Sequence, residues 1–182
     1  LYTAYLSTSE YGIVDLLNNY ISLLIPIFFF QMEQALFRFL IDARNDEKSE
    51  NEIISTAVFT VLKQSILFIV LYLIVSLFIH NDYKYFLLSN VIVTMLSSLL
   101  LQMCRGLGDN LSYSLGSLVT GIGSIVLNVI FIAVLKLGAY GMLSASLIAN
   151  IFCIIFISCR KKVLSKIKHC YYDKKIKKEL LK

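Results

Sequence analysis

The sequence predicts an all-α fold: an integral membrane helical bundle of about five transmembrane helices running up and down. Three observations predict it. Charge is scarce, at 16% of residues, where a soluble domain averages about 25%. Charge is also segregated, crowding into residues 38–52 and 160–182 and vanishing from 85–104, 111–135 and 141–159. A water-soluble bundle needs a polar face on every helix, so such surfaces call for lipid as solvent. Finally, the links are short, as in His80-Asn81-Asp82, Arg105 to Asn110 and Lys136 to Tyr140. Short links force consecutive helices to run antiparallel.

A helix needs about 20 residues to cross the hydrocarbon core. Apolar runs of that length place spans at 12–40, 53–79, 85–104, 111–135 and 141–159, with 160–182 left as a basic connector or tail. The first span is the least clean. Asp15, Glu33 and Arg38 flank its uncharged centre, Leu16 to Met32, which leaves an interfacial helix as the alternative. The stretch Leu23 to Phe30 is apolar all round and favours a span. Pro26 removes a backbone donor there and predicts a kink.

Orientation follows from the basic residues. Arg38, Arg44, Lys48, Arg105 and ten residues of the tail make fourteen on one side, against Lys84 and Lys136 on the other. The positive-inside rule puts the fourteen in the cytoplasm, for a multi-pass protein with a cytoplasmic C-terminal tail. Tyr5, Tyr11, Tyr83, Tyr85, Tyr113 and Tyr140 fall near helix ends, where interfacial aromatics sit. The net charge of +5 is concentrated in the tail beside a span. That placement suits an anionic leaflet or a topology signal and not nucleic acid. The four cysteines, Cys104, Cys153, Cys159 and Cys170, lack metal-ligand spacing and are expected as small apolar residues. The start on Leu1, the odd number of spans and the tail ending on Lys182 raise the expectation of a fragment of a longer protein.

Polar residues inside the spans carry the functional information. Asn90, Thr94, Ser98 and Gln102 recur every fourth residue and lead into Arg105. Ser112, Gly116, Thr120, Ser124 and Asn128 do the same, followed by Ser146 and Asn150. Such stripes lie on one helical face. For the small residues the expected role is close helix packing. Asn90, Gln102, Asn128 and Asn150 are costlier to desolvate, and imply either interhelical hydrogen bonds or a wet cavity. Glu33 is short in reach and needs a partner, for which Arg38 or Lys63 is the choice. Arg38 itself either faces a cavity or snorkels to the surface.

Gln31, Glu33, Gln34, Arg38, Lys63, Gln64, Gln102 and Arg105 all fall in the cytoplasmic half of the bundle. A cavity open to the cytoplasm and positive on balance would gather them. It would suit an anionic solute or headgroup, because Arg forks match phosphate. The candidate substrate-binding residues are Arg38, Lys63, Arg105, Glu33, Gln31, Gln34, Gln102 and Asn128. No phosphate-binding loop, dinucleotide glycine pattern or metal cluster occurs, so neither a cofactor nor an enzymatic activity is expected.

Several short motifs stand in a telling order. Tyr11-Gly12 with Asp15-Leu16 opens the first span and Gln31-Met32-Glu33-Gln34-Ala35-Leu36-Phe37-Arg38-Phe39 closes it. Ile53-Ile54-Ser55 follows, then Gln102-Met103-Cys104-Arg105-Gly106-Leu107-Gly108-Asp109, Gly116 with Gly121, and Gly138-Ala139-Tyr140-Gly141. Over most of the chain this order resembles the bacterial polysaccharide flippases of the O-antigen transporter type. They belong to the MOP superfamily, with the multidrug and toxin exporters and the lipid II flippases. The resemblance implies spans two to six of an N-terminal lobe, without the first span or the second lobe. It also implies flipping of undecaprenyl-pyrophosphate-linked oligosaccharide across the bacterial inner membrane by alternating access. Arg38 and Arg105 match positions where the family keeps basic residues at the cytoplasmic mouth, and Lys63 matches less well. Candidate partners are membrane lipids, a polysaccharide polymerase and glycosyltransferases, with a proton or Na+ as candidate coupling ion. The competing expectations are a drug or cation exporter, a membrane polymerase or ligase, and a structural membrane subunit.

Overall fold

The computed structural model describes residues 7–78, 82–161 and 171–181. Tyr5, His80 and Asn81, Cys170 and the tail residues 162–170 and 182 lie outside these residues. The described chain is an all-α membrane bundle, with five helices long and apolar enough to cross a bilayer.

Helix α1 (Thr8–Phe29) opens with a capping box, in which Glu10 N–H donates to Ser7 Oγ and Ser7 N–H donates to Glu10 Oε2. Its 22 residues rise about 33 Å, enough to span the hydrocarbon core alone. The expected single span over 12–40 is therefore corrected to two helices. The chain breaks at Phe30 and Gln31, both at φ 50°, and restarts as α2 (Met32–Asp42). Pro26 is not the site of the break, but its carbonyl accepts from Phe30 N–H at 3.1 Å and closes α1. Left-handed residues other than glycine cost roughly 1–2 kcal/mol each. Phe29 and Met32, each 0% exposed, anchor the two sides of the break and offset that cost.

Helix α3 (Glu47–Ser76) starts six residues before the predicted span, because Asp46 caps it. The Ser49 hydroxyl on Asp46 holds that carboxyl below the usual carboxylate range. Helices α4 (Lys84–Gly106), α5 (Asn110–Asn128) and α6 (Gly138–Lys161) match the remaining predicted spans closely. Helix α5 widens into a π-helical segment over Val129–Val134. The tail contains a short helix that periodicity did not predict, α7 (Lys174–Leu180), capped by Asp173.

Helix α4 is central. It packs against α1, α2, α3, α5 and α6 and is the most buried of the five spans. Its inward face, Leu87, Val91, Met95, Leu99 and Met103, follows a helical period. The opposite extreme is the outer half of α3, where Ile66, Leu67, Val70, Ile74 and Phe78 are more than half exposed or close to it. Helix α5 likewise exposes Leu118, Ile122, Ile125 and Val134. Contiguous apolar surfaces of this kind are lipid-facing.

The polar stripes divide between the two roles expected of them. The α5 stripe is largely packing: Gly116 is buried where a Cβ would lie 2.9 Å from Leu101 and 3.0 Å from Ile157. Asn90 and Asn150 make interhelical bonds, from Asn90 Nδ2 to the Leu143 carbonyl at 3.4 Å and from Ser97 Oγ to Asn150 Oδ1 at 2.6 Å. Both join α4 to α6. The bond uses Ser97, a residue that the four-residue stripe through Ser98 passes over. Interfacial tyrosines also find each other, with the Tyr83 and Tyr140 rings 4.6 Å apart.

The α2–α4 contact is a close one. A Cβ on Gly106 would lie 2.7 Å from Leu40 Cβ and 3.3 Å from the Phe37 carbonyl. Neither the Leu40 Cβ nor a carbonyl can rotate away. Gly106→Ala should therefore separate α2 from α4 at a cost of about 1–3 kcal/mol. The check is the midpoint of thermal unfolding in detergent, which should fall; an unchanged midpoint would contradict the close approach.

Candidate functional site

The break at Phe30–Gln31 sets α2 off from α1, and it gives α2 two faces with different fates. Met32, Leu36 and Leu40 are fully buried. Gln31, Gln34 and Arg38, spaced three and four apart, share the opposite face. They line a cleft of about 460 Å³ with Pro26 and Phe30, and Leu180 and Leu181 of the tail form its other wall. Arg38 also lines an adjoining cleft of about 360 Å³ together with Glu179 and Leu180. The arrangement places one guanidinium and two primary amides on an open surface. An Arg fork can chelate two oxygens of a phosphate, and amides can hydrogen-bond hydroxyls of a polyol.

The other predicted site residues lie elsewhere. Glu33 falls on the buried side of α2, and its Oε2 is buried without a hydrogen-bond partner. The expected pairing with Arg38 or Lys63 is thus not formed. Arg38 lies on the far face of the same helix, and Lys63 has gone to an aromatic ring. The Lys63 ammonium sits 4.4 Å from the centroid of Tyr172, in the tail. Arg105 stacks on Phe37 at 4.7 Å and Tyr113 at 5.7 Å, so its guanidinium joins α4 to α2 and α5. Gln102 and Gln64 each have a buried amide oxygen without a partner. Asn128 ends the α-helical part of α5, its Nδ2 3.4 Å from Ser124 Oγ and its Oδ1 buried and unpartnered. Of the eight predicted residues, Gln31, Gln34 and Arg38 meet in one cleft, and the other five do not line it.

Two contributors escaped the sequence. Arg44 turns back onto the end of α4, donating from Nη2 at 2.8 Å and from Nε at 3.2 Å to the Gly106 carbonyl. It closes a carbonyl that the helix leaves unpaired. Arg160 similarly donates from Nε to Ser112 Oγ at 2.7 Å, tying α6 to the start of α5. These two arginines of the basic side are structural, and a charge count alone cannot separate them from Arg38. Among the described residues, no cluster of three or more His, Cys, Asp or Glu side chains could hold a metal ion. Comparison with protein-family models, curated proteins and solved structures finds no match.

The placements separate two arginines that the sequence treats alike. Arg105→Ala removes two ring contacts and should destabilise the fold by about 0.5–1 kcal/mol. Arg38→Ala should leave stability within about 0.5 kcal/mol, as an exposed residue does. Unfolding midpoints of the two variants in one detergent check this; equal losses would contradict the division.

Proposed function

We propose that this chain is part of a bacterial polysaccharide flippase of the O-antigen transporter type, within the MOP superfamily. On this reading it moves undecaprenyl-pyrophosphate-linked oligosaccharide across the inner membrane by alternating access. The cytoplasmic side is the end carrying α2, the start of α3 and the basic tail. Five membrane-crossing helices support the class of protein. The observation that carries the proposal is the cleft face of α2, where Arg38 lies with Gln31 and Gln34 at the end of an otherwise apolar bundle.

The chemistry fits that substrate. Pyrophosphate is anionic and offers paired oxygens to a guanidinium. Sugar hydroxyls both donate and accept, as do the amides of Gln31 and Gln34. The lipid tail needs no protein pocket and can follow outside, against faces such as the exposed side of α1 formed by Leu16, Leu23 and Ile27. Polymerase and glycosyltransferase partners would act before and after the flip.

Glu33 favours a second reading, a cation-coupled drug or toxin exporter. A carboxylate oxygen buried without a partner is what a proton- or Na+-coupled site requires. The flippase reading leads because the open cleft holds the arginine and not the acid.

In the full-length protein, Arg38→Ala should reduce surface polysaccharide export by about 10–100-fold, the worth of a charge-assisted contact of roughly 1.5–3 kcal/mol. Membrane insertion should stay normal and Arg38→Lys should keep part of the activity. Wild-type export by Arg38→Ala would remove the basis of the proposal. Glu33→Gln should be tolerated by a flippase, whereas loss of cation-dependent efflux in that variant would favour the exporter.

A further inference from the structure

A cleft separate from those around Arg38 lies between α1, α3 and α4, toward the end of the bundle away from α2. Its volume of about 360 Å³ falls in the range of small-ligand sites. Ile13, Leu16 and Leu17 of α1 and Leu87 of α4 make its walls apolar. The α1 residues follow a helical period and present one face, which continues to Tyr20. Leu16 is 50% exposed and Tyr20 49%. The cleft therefore opens sideways, onto surface that faces lipid.

One end of the cleft is polar. Among the described residues that line it, Lys84 is the charged one. Its ammonium donates to the Ser76 carbonyl at 3.2 Å, where α3 ends, and lies 5.4 Å from the centroid of the Tyr85 ring. The Tyr72 hydroxyl donates to the Lys84 carbonyl at 2.8 Å, so side chain and backbone are both fixed. Asp82 is exposed and does not line the cleft. Helices α1 and α4 both start at this end of the bundle. Lys84, the first residue of α4, stands at the height of the membrane interface. Tyr20 lies about 18 Å along α1 from Thr8, at hydrocarbon depth. The long axis of the cleft thus runs from the interface into the bilayer.

At that depth the bilayer offers hydrocarbon and no water. A vacant apolar groove would forfeit van der Waals contacts along its walls, and the neighbouring acyl chains are what can supply them. A chain that leaves the bilayer for the groove gains little selectivity, because lipid tails are as apolar as leucine. Selectivity has to come from the polar end, where a fixed ammonium favours a head group of net negative charge. We propose that this cleft is a site for an anionic glycerophospholipid. One acyl chain lies along Ile13, Leu16, Leu17 and Leu87 and reaches toward Tyr20, and the head-group phosphate sits at the Lys84 ammonium. The site requires a membrane around the bundle and is independent of the flippase reading.

The chain has no tryptophan, so Tyr20→Trp gives the cleft a fluorophore of its own. The full chain is reconstituted in phosphatidylethanolamine vesicles that carry a minor fraction of a second lipid with brominated acyl chains, which quench an indole on contact. That second lipid is either phosphatidylglycerol, which is anionic, or phosphatidylcholine, which is not. Quenching of Tyr20→Trp should report binding of the phosphatidylglycerol about fivefold tighter than of the phosphatidylcholine, the worth of one lysine at an anionic head group. Ile122→Trp, on the exposed face of α5, should report a ratio near one. Lys84→Met should bring the Tyr20→Trp ratio to near one, and Lys84→Arg should keep it. If Lys84→Met fails to insert, raised salt carries the test, because screening should lower the ratio in the unaltered cleft. Equal ratios at Tyr20→Trp and Ile122→Trp would overturn the site, as would a ratio that neither Lys84→Met nor salt changes. Absence of quenching by either lipid would also overturn it, by showing that a protein segment fills the cleft.

Discussion

Two consecutive left-handed residues, Phe30 and Gln31, decide the geometry of one whole end of the bundle. Had the helix run on from Thr8 to Asp42, its phase would have been continuous, and the face of Gln31, Gln34 and Arg38 would have been set by α1. The break resets that phase. Met32, Leu36 and Leu40 now turn into the core, and Leu40 reaches the one position on α4 that has no side chain, Gly106. The polar face is turned out by the same rotation. The backbone cost at the break is of the order of a few kcal/mol. Close packing of three fully buried side chains of α2 against the bundle offsets it. The strain is affordable because the packing beyond it is good.

The second constraint is the solvent. Hydrocarbon does not reward burying a leucine, so membrane helices are held by close packing and by polar bonds between them. Here α4 and α6 carry both kinds. Ala145 and Ala149 are fully buried, small residues that let neighbouring helices approach, and Asn90 and Ser97 supply cross-helix bonds. Each such bond contributes on the order of 0.5–2 kcal/mol. Around this pair the outer helices are less committed: α5 and the far half of α3 present mostly lipid-facing surface. The rigid part of the molecule is thus its middle, and the polar cleft sits at one end.

Much of the fold was legible, because the absence of charge over 85–104, 111–135 and 141–159 admits few alternatives. Periodicity also marked Gly116 as a packing residue and left Asn150 between an interhelical bond and a wet cavity, without giving the partners of either. What was not legible depended on backbone conformation and on contacts far apart in sequence. Nothing in Phe30-Gln31 announces a left-handed pair, since neither residue is glycine or asparagine. The proline four residues earlier was the visible signal, and it marks the carbonyl that ends α1 and not the bend. The site was legible in part for the same reason. Gln31, Gln34 and Arg38 are neighbours on one short helix, so spacing alone brings them together. Lys63 and Arg105 were grouped with them by depth in the membrane, but depth does not specify azimuth. Each cation turned instead to the aromatic ring on its own side, Tyr172 and the Phe37–Tyr113 pair.

That choice of rings over carboxylate has a consequence for how charge is arranged. Among the three candidate cations at this end, the sequence offers Glu33 as the counter-ion for Arg38 or Lys63. The structure gives it to none of them. Arg38 and Glu33 stand on opposite faces of α2, with the helix between them. An ion pair there would have neutralised the cleft and left it no preference for an anion. Aromatic faces hold Lys63 and Arg105 in place without cancelling their charge, because a ring contributes a quadrupole and no net charge. The positive balance at this end of the bundle is therefore preserved by the packing. Of the three, Arg38 is the one that lines the open cleft beside Gln31 and Gln34, where an anion can reach it.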